Sequence, residues 1–127
     1  MIAVATGMRE LFANTDSAES FSYKLRDFLD RFRDAPSSDL IAAEPEFLAP
    51  ILSDEGRADA YLASTAAWLA QKYSLPTPPW ARGTARCLEK PWFAARSHNL
   101  RMVLLEESPS EFRIRNLFVS ANALSRA

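Results

Sequence analysis

The sequence predicts an all-α protein, a compact helical domain of about five or six helices with one Pro/Trp-rich wrapping loop. Three observations carry that expectation. Glycine is scarce, only three in 127 residues, whereas sheets with tight turns draw on it heavily. Apolar side chains recur at helical spacing in several separate stretches. Cap-forming residues and prolines then punctuate those stretches where helices should start and stop.

The elements follow in chain order. Val4, Met8, Leu11 and Phe12 share one helical face across residues 2–13. "NTDS" breaks the run, and Asp16 with Glu19 has the form of a capping box. From there Phe21, Leu25, Phe28, Leu29 and Phe32 form an apolar stripe, and Pro36 closes the helix. Its polar face alternates Lys24, Arg26, Asp27, Asp30, Arg31, Arg33 and Asp34, which pair at i,i+3 and i,i+4 for a few tenths of a kcal/mol each. Ser37 or Ser38 is expected to cap a short helix through Ala43. Pro45 and Pro50 forbid one long helix, so this stretch divides into short pieces.

After Ser53 a long helix is predicted, with Tyr61, Leu62, Thr65, Trp68, Leu69 and Lys72 at helical spacing. Six alanines between positions 58 and 70 give it thin sides, which places it centrally. "SLPTPPWARGTARCLEKPWF" carries four prolines and reads as an ordered wrapping loop with a turn of helix near 84–88. Ser97 is expected to cap a helix with Leu100, Val103 and Leu104 on one side. Ser108, Pro109 and Glu111 spell a further helix start at Pro109. Asn116 suits a left-handed closure. "LFVS" is suited to a brief extended run, and Ser120 to capping a last turn.

The bulk numbers restrict function classes. There are 15 Lys and Arg against 16 Asp and Glu, for a net charge of −1. Residues 1–70 hold six basic against twelve acidic groups, and residues 71–127 hold nine against four. The two halves are therefore expected to attract one another, or the basic half to meet an acidic partner. The single cysteine, Cys87, excludes an internal disulfide, and no window reaches the roughly 18 apolar residues of a membrane span. A cytoplasmic protein with no membrane partner is the expectation. No internal repeat or second domain is visible, so residues 1–127 are taken as one domain.

Chemistry is sparsely signalled. His98 is the only histidine, so any Ser-His or Cys-His nucleophile would have to use it. It stands beside an expected helix cap, where polar residues are common anyway. One Cys and one His do not make a zinc site. The pairs Glu44 with Glu46, Asp54 with Glu55 and Glu106 with Glu107 read as solvated surface. No glycine-rich phosphate loop is present. No catalytic, cofactor-binding or metal-binding residue is assigned, and the chain is expected not to be an enzyme.

"DAYLASTAAWLAQKYSLPTPPW", "ARGTARCLEKPWF" and "ESPSEFRIRNLFVSANALSRA" together resemble the C-terminal half of an uncharacterised bacterial family of small helical proteins. The resemblance covers residues 59–127. It implies a binding protein, antitoxin-like, that neutralises or regulates a nucleotidyltransferase-like partner. No catalytic residues transfer with it. Trp80, Trp92, Arg113, Arg115 and Asn116 are expected to close the core, with contact to a partner as the alternative role. The competing expectation is a small nucleic-acid-binding regulator using the basic C-terminal half. No cofactor is expected, and oligomeric state is left open.

Overall fold

The computed structural model describes residues 7–124. Eight helices and two two-residue strands follow one another: α1 Met8–Phe12, α2 Ala18–Asp34, α3 Asp39–Ala42, α4 Ala49–Leu52, α5 Arg57–Lys72, α6 Pro79–Arg82, β1 Trp92–Phe93, α7 His98–Glu107, α8 Ser110–Arg113 and β2 Leu117–Phe118. The chain is mostly helical, as its periodicity predicts. Only α2, α5 and α7 exceed two turns. The other five are single turns, which raises the count above five or six, and a proline at or near α4, α6 and α8 sets where those turns begin.

α5 is the centre of the fold. Ala58, Ala60, Ala63, Ala66, Ala67 and Ala70 are all buried on it, with Leu62 and Leu69. Side chains this small let α6 and α8 pack directly against its surface. α2 supplies Phe28, Leu29 and Phe32 to the same cluster, which Phe112, Leu117, Val119 and Leu124 complete from the C-terminal segment. A chain of rings links the layers. Phe12 of α1 meets Phe21 of α2 at 5.4 Å, Phe21 meets Tyr61 of α5 at 6.2 Å, and Tyr61 meets Phe112 of α8 at 5.1 Å. Tilted and edge-on pairs of this kind add to the burial term. Lys24 ties α2 back to α1 by donating to the Ala13 carbonyl at 3.0 Å.

Local chemistry departs from the sequence expectations at several caps. Ser17, not Asp16, caps α2, and its Oγ accepts from the Ser20 N–H at 3.0 Å. Ser97 does cap α7, accepting from Leu100 N–H at 3.2 Å. The expected box at Ser108 does not form. Ser108 Oγ is buried, accepts from the Val119 N–H at 2.9 Å and shares its single O–H between the Leu104 and Val119 carbonyls, while Pro109 takes the N-cap of α8 without a side-chain bond. A buried hydroxyl goes where carbonyls need a donor, and here they lie behind it. The expected turn of helix near 84–88 is also displaced: the helical turn is Pro79–Arg82, and 84–87 is a single turn closed by Cys87 N–H on the Thr84 carbonyl. Asn116 adopts the left-handed conformation, φ 64°, and releases the chain into β2. β2 runs parallel to β1, with Trp92 beside Leu117 and Phe93 beside Phe118. The expected start of the first helix at 2–6 and the last residues of the terminal turn lie outside the described residues. No helix among the described residues is long and apolar enough to cross a membrane.

Candidate functional site

The turn before α5 shapes one wall of a cleft on the surface. Ser53, Glu55 and Gly56 all have positive φ, 52°, 62° and 89°. Such a sequence of left-handed residues turns the chain sharply and costs conformational energy in the non-glycine positions. Asp54 steadies it, because its carboxylate accepts from Gly56 N–H at 3.0 Å and Ala58 N–H at 2.8 Å. That is an N-terminal capping role in which negative charge also suits the helix dipole.

Asp59, in the first turn of α5, reaches the opposite way. It is 2% exposed. Its Oδ1 accepts from Leu48 N–H at 2.6 Å and its Oδ2 from Ala49 N–H at 3.1 Å, so one carboxylate serves the backbone that opens α4. Arg86 lies beside it with its side chain 1% exposed, Nη1 to Asp59 Oδ1 at 3.7 Å. Arg86 Nε and Nη2 each donate to one oxygen of Glu44 at 3.3 Å, and Nη2 also donates to the Pro45 carbonyl. The guanidinium lies over the Phe47 ring at 4.2 Å and near the Trp80 ring at 5.1 Å. Its Nη1 makes no hydrogen bond among the described residues. Burial pushes the Asp59 carboxyl above its ordinary pKa, against the pull of its two backbone donors and of Arg86. The two charges thus bind the 44–49 segment and the 85–88 segment to α5, which joins the acidic and basic halves of the chain.

These groups border a cleft of ≈ 660 Å³ lined by Phe47, Arg57, Asp59, Arg86, Cys87 and Trp92 among others. A smaller hollow of ≈ 330 Å³ adjoins it, lined by Phe21, Leu52 and Tyr61. Asp54, Arg57 and Trp92 belong to both. Arg57 stands over the half-buried Trp92 ring at 4.7 Å, a cation–π contact on the boundary between them. Phe47 and Ile51 are exposed, and Phe47 forms part of the cleft wall. The cleft therefore offers aromatic surface, the partly exposed Arg57 guanidinium on Trp92 and a charged rim, with Arg86 buried in its wall.

The residues singled out from sequence fall in three environments. Trp92 lines the cleft. Trp80 is half-buried behind Arg86 and donates its indole N–H to the Ile41 carbonyl at 2.9 Å. Arg115 is buried and donates to the carbonyls of Glu111 and Ala81, and burial lowers its pKa. Asn116 donates to the Leu88 carbonyl at 2.8 Å. Arg113 is exposed on α8. Cys87 lines the cleft, whereas His98 opens α7 in solvent and is not among the cleft's lining residues. Among the described residues no group of three or more His, Cys, Asp or Glu is placed to hold a metal ion. Asp59 and Arg86 escaped sequence reading, since they are 27 positions apart and match no motif. One signal existed: Asp59 lies between alanines in the thin-sided helix, where a buried charge must have a partner.

No family model, curated protein or solved structure matches the chain.

Proposed function

We propose that the chain is a non-enzymatic protein–protein interaction module, antitoxin-like, whose cleft receives a segment of a nucleotidyltransferase-like protein partner. The observation that carries this reading is the Arg57–Trp92 face with the exposed Phe47 ring lining the same cleft. Binding energy at interfaces concentrates in Trp, Tyr and Arg side chains set in pockets. A half-buried Trp with an Arg on its face, at the junction of two hollows, has that form. The Arg86–Asp59–Glu44 lattice supports the reading by holding the cleft walls in place before a partner arrives, so little ordering entropy is spent on binding.

The test is recovery of a partner. A tagged chain expressed in its native host should co-purify with one protein in stoichiometric amount. Trp92→Ala with Phe47→Ser should reduce that recovery at least about tenfold, the equivalent of 1.4 kcal/mol. Undiminished recovery by this variant would contradict the assignment of the cleft. The second reading, a nucleic-acid-binding regulator, draws on the exposed Arg82, Lys90, Arg96, Arg101 and Arg113. It loses Arg86 and Arg115, which are buried in internal bonds. Association with duplex DNA that falls steeply with salt would favour it.

A further inference from the structure

α7 is an anomaly in this fold. Of its ten residues only Leu104 is buried. Leu100, Met102, Val103 and Leu105 are 57, 50, 48 and 39% exposed. An isolated helix of this length is marginal in water and normally relies on a buried face. Its charges also oppose its dipole: the first turn holds no acidic residue and the last holds no basic one, while Glu106 and Glu107 crowd the C-terminal end.

The face turned away from the core is self-complementary. Successive residues advance about 100° around a helix. Met102 and Glu106 therefore each lie about 160° from Leu104, on either side of the outward direction, and His98 about 120° from it. Val103 and Leu105 flank this strip. His98 and Glu106 are each four residues from Met102, one toward each end. We infer that α7 pairs antiparallel with α7 of a second copy, about a two-fold axis beside Met102. In that pair the two Met102 side chains meet at the axis. His98 of each copy donates to Glu106 of the other, twice over by symmetry. Each acidic last turn is brought beside the other copy's helix N-terminus, where negative charge is favourable. This surface does not include the cleft and stands independently of the partner proposed for it. A contact of one short helix pair is small, so the dimer is weak, with dissociation in the micromolar range or above.

Sedimentation equilibrium of the full chain tests this, over concentrations from about micromolar to about millimolar. The wild type should show a reversible monomer–dimer equilibrium. His98→Glu alone and Glu106→Lys alone should each weaken it at least about tenfold, because the first sets two carboxylates opposite one another and the second removes the acceptor that His98 needs. The double variant His98→Glu with Glu106→Lys restores opposite charges and should return it to within about threefold of wild type. Met102→Glu should remove the dimer while far-UV circular dichroism and melting temperature stay near wild type, since Met102 is half exposed. A wild type that remains monomeric throughout, or a double variant no tighter than the singles, would overturn the pairing.

Discussion

Replacing Arg86 by Met removes a buried guanidinium while keeping an apolar stem of similar length against Phe47 and Trp80. Glu44, about half exposed, can return to water. Asp59 cannot, being 2% exposed. It keeps its two backbone donors but loses its only nearby cation among the causes of its shift. Breaking a buried charge pair on one side costs about 3–5 kcal/mol, a large share of the 5–15 kcal/mol typical of a whole domain. The size of the loss must depend on pH. Asp59 already has a folded-state pKa above its ordinary value, so the folded protein binds that proton more tightly than the unfolded chain does. Stability from this group consequently rises as pH falls from the folded value toward the ordinary one. Without Arg86 the folded value moves higher still, and each unit corresponds to about 1.36 kcal/mol. The Arg86→Met penalty should thus be greatest near neutrality and shrink through mild acid. Urea unfolding of wild type and variant at several pH values measures it. A loss below about 1 kcal/mol at neutral pH, or one that does not change with pH, would refute the argument.

Other outcomes follow from the same packing. Phe112→Ala empties a fully buried ring site against Tyr61 and should cost about 3–5 kcal/mol in urea unfolding. Ser17→Ala should cost about 1 kcal/mol by removing the cap of α2, whereas Asp16→Ala should change stability by less than about 0.5 kcal/mol; the reverse ranking would restore Asp16 as the cap. Ending the chain before Pro109 removes Phe112, Leu117, Val119 and Leu124 from the core together with the Arg115 and Asn116 bonds to Ala81 and Leu88. That protein should lose its cooperative thermal transition, and a truncated chain melting at the parent temperature would show the segment to be dispensable.

What could be read from the sequence was what depends on neighbours in the chain. The stripe of Phe28, Leu29 and Phe32, the alanine-rich helix, the cap at Ser97 and the left-handed Asn116 are each set by a few adjacent residues. Ser108 shows where that logic ends. Its local pattern is a helix start, yet its hydroxyl is drawn to Val119, eleven positions away, because buried carbonyls there require a donor. The site is less legible for the same reason. Trp92 stands out in the sequence as a large ring after a proline, suited to burial or to a partner, but the Arg86–Asp59 pair depends on chain folding that brings 44–49 and 85–88 against one end of α5. Nor does the sequence reveal that Arg115 turns inward while Arg113, two residues before it, stays in water. Side-chain direction at a helix end is decided by which carbonyls lie within reach, and Ala81 is 34 positions upstream.

The central claim is that the cleft between α5 and residues 85–92 is where a protein partner engages. Amide hydrogen exchange of the chain, free and in complex with its co-purified partner, addresses this directly. The account predicts slowed exchange concentrated in residues 47–59 and 85–92, with α2 little changed. Protection confined to other surfaces, with those two segments exchanging at the free rate, would contradict it.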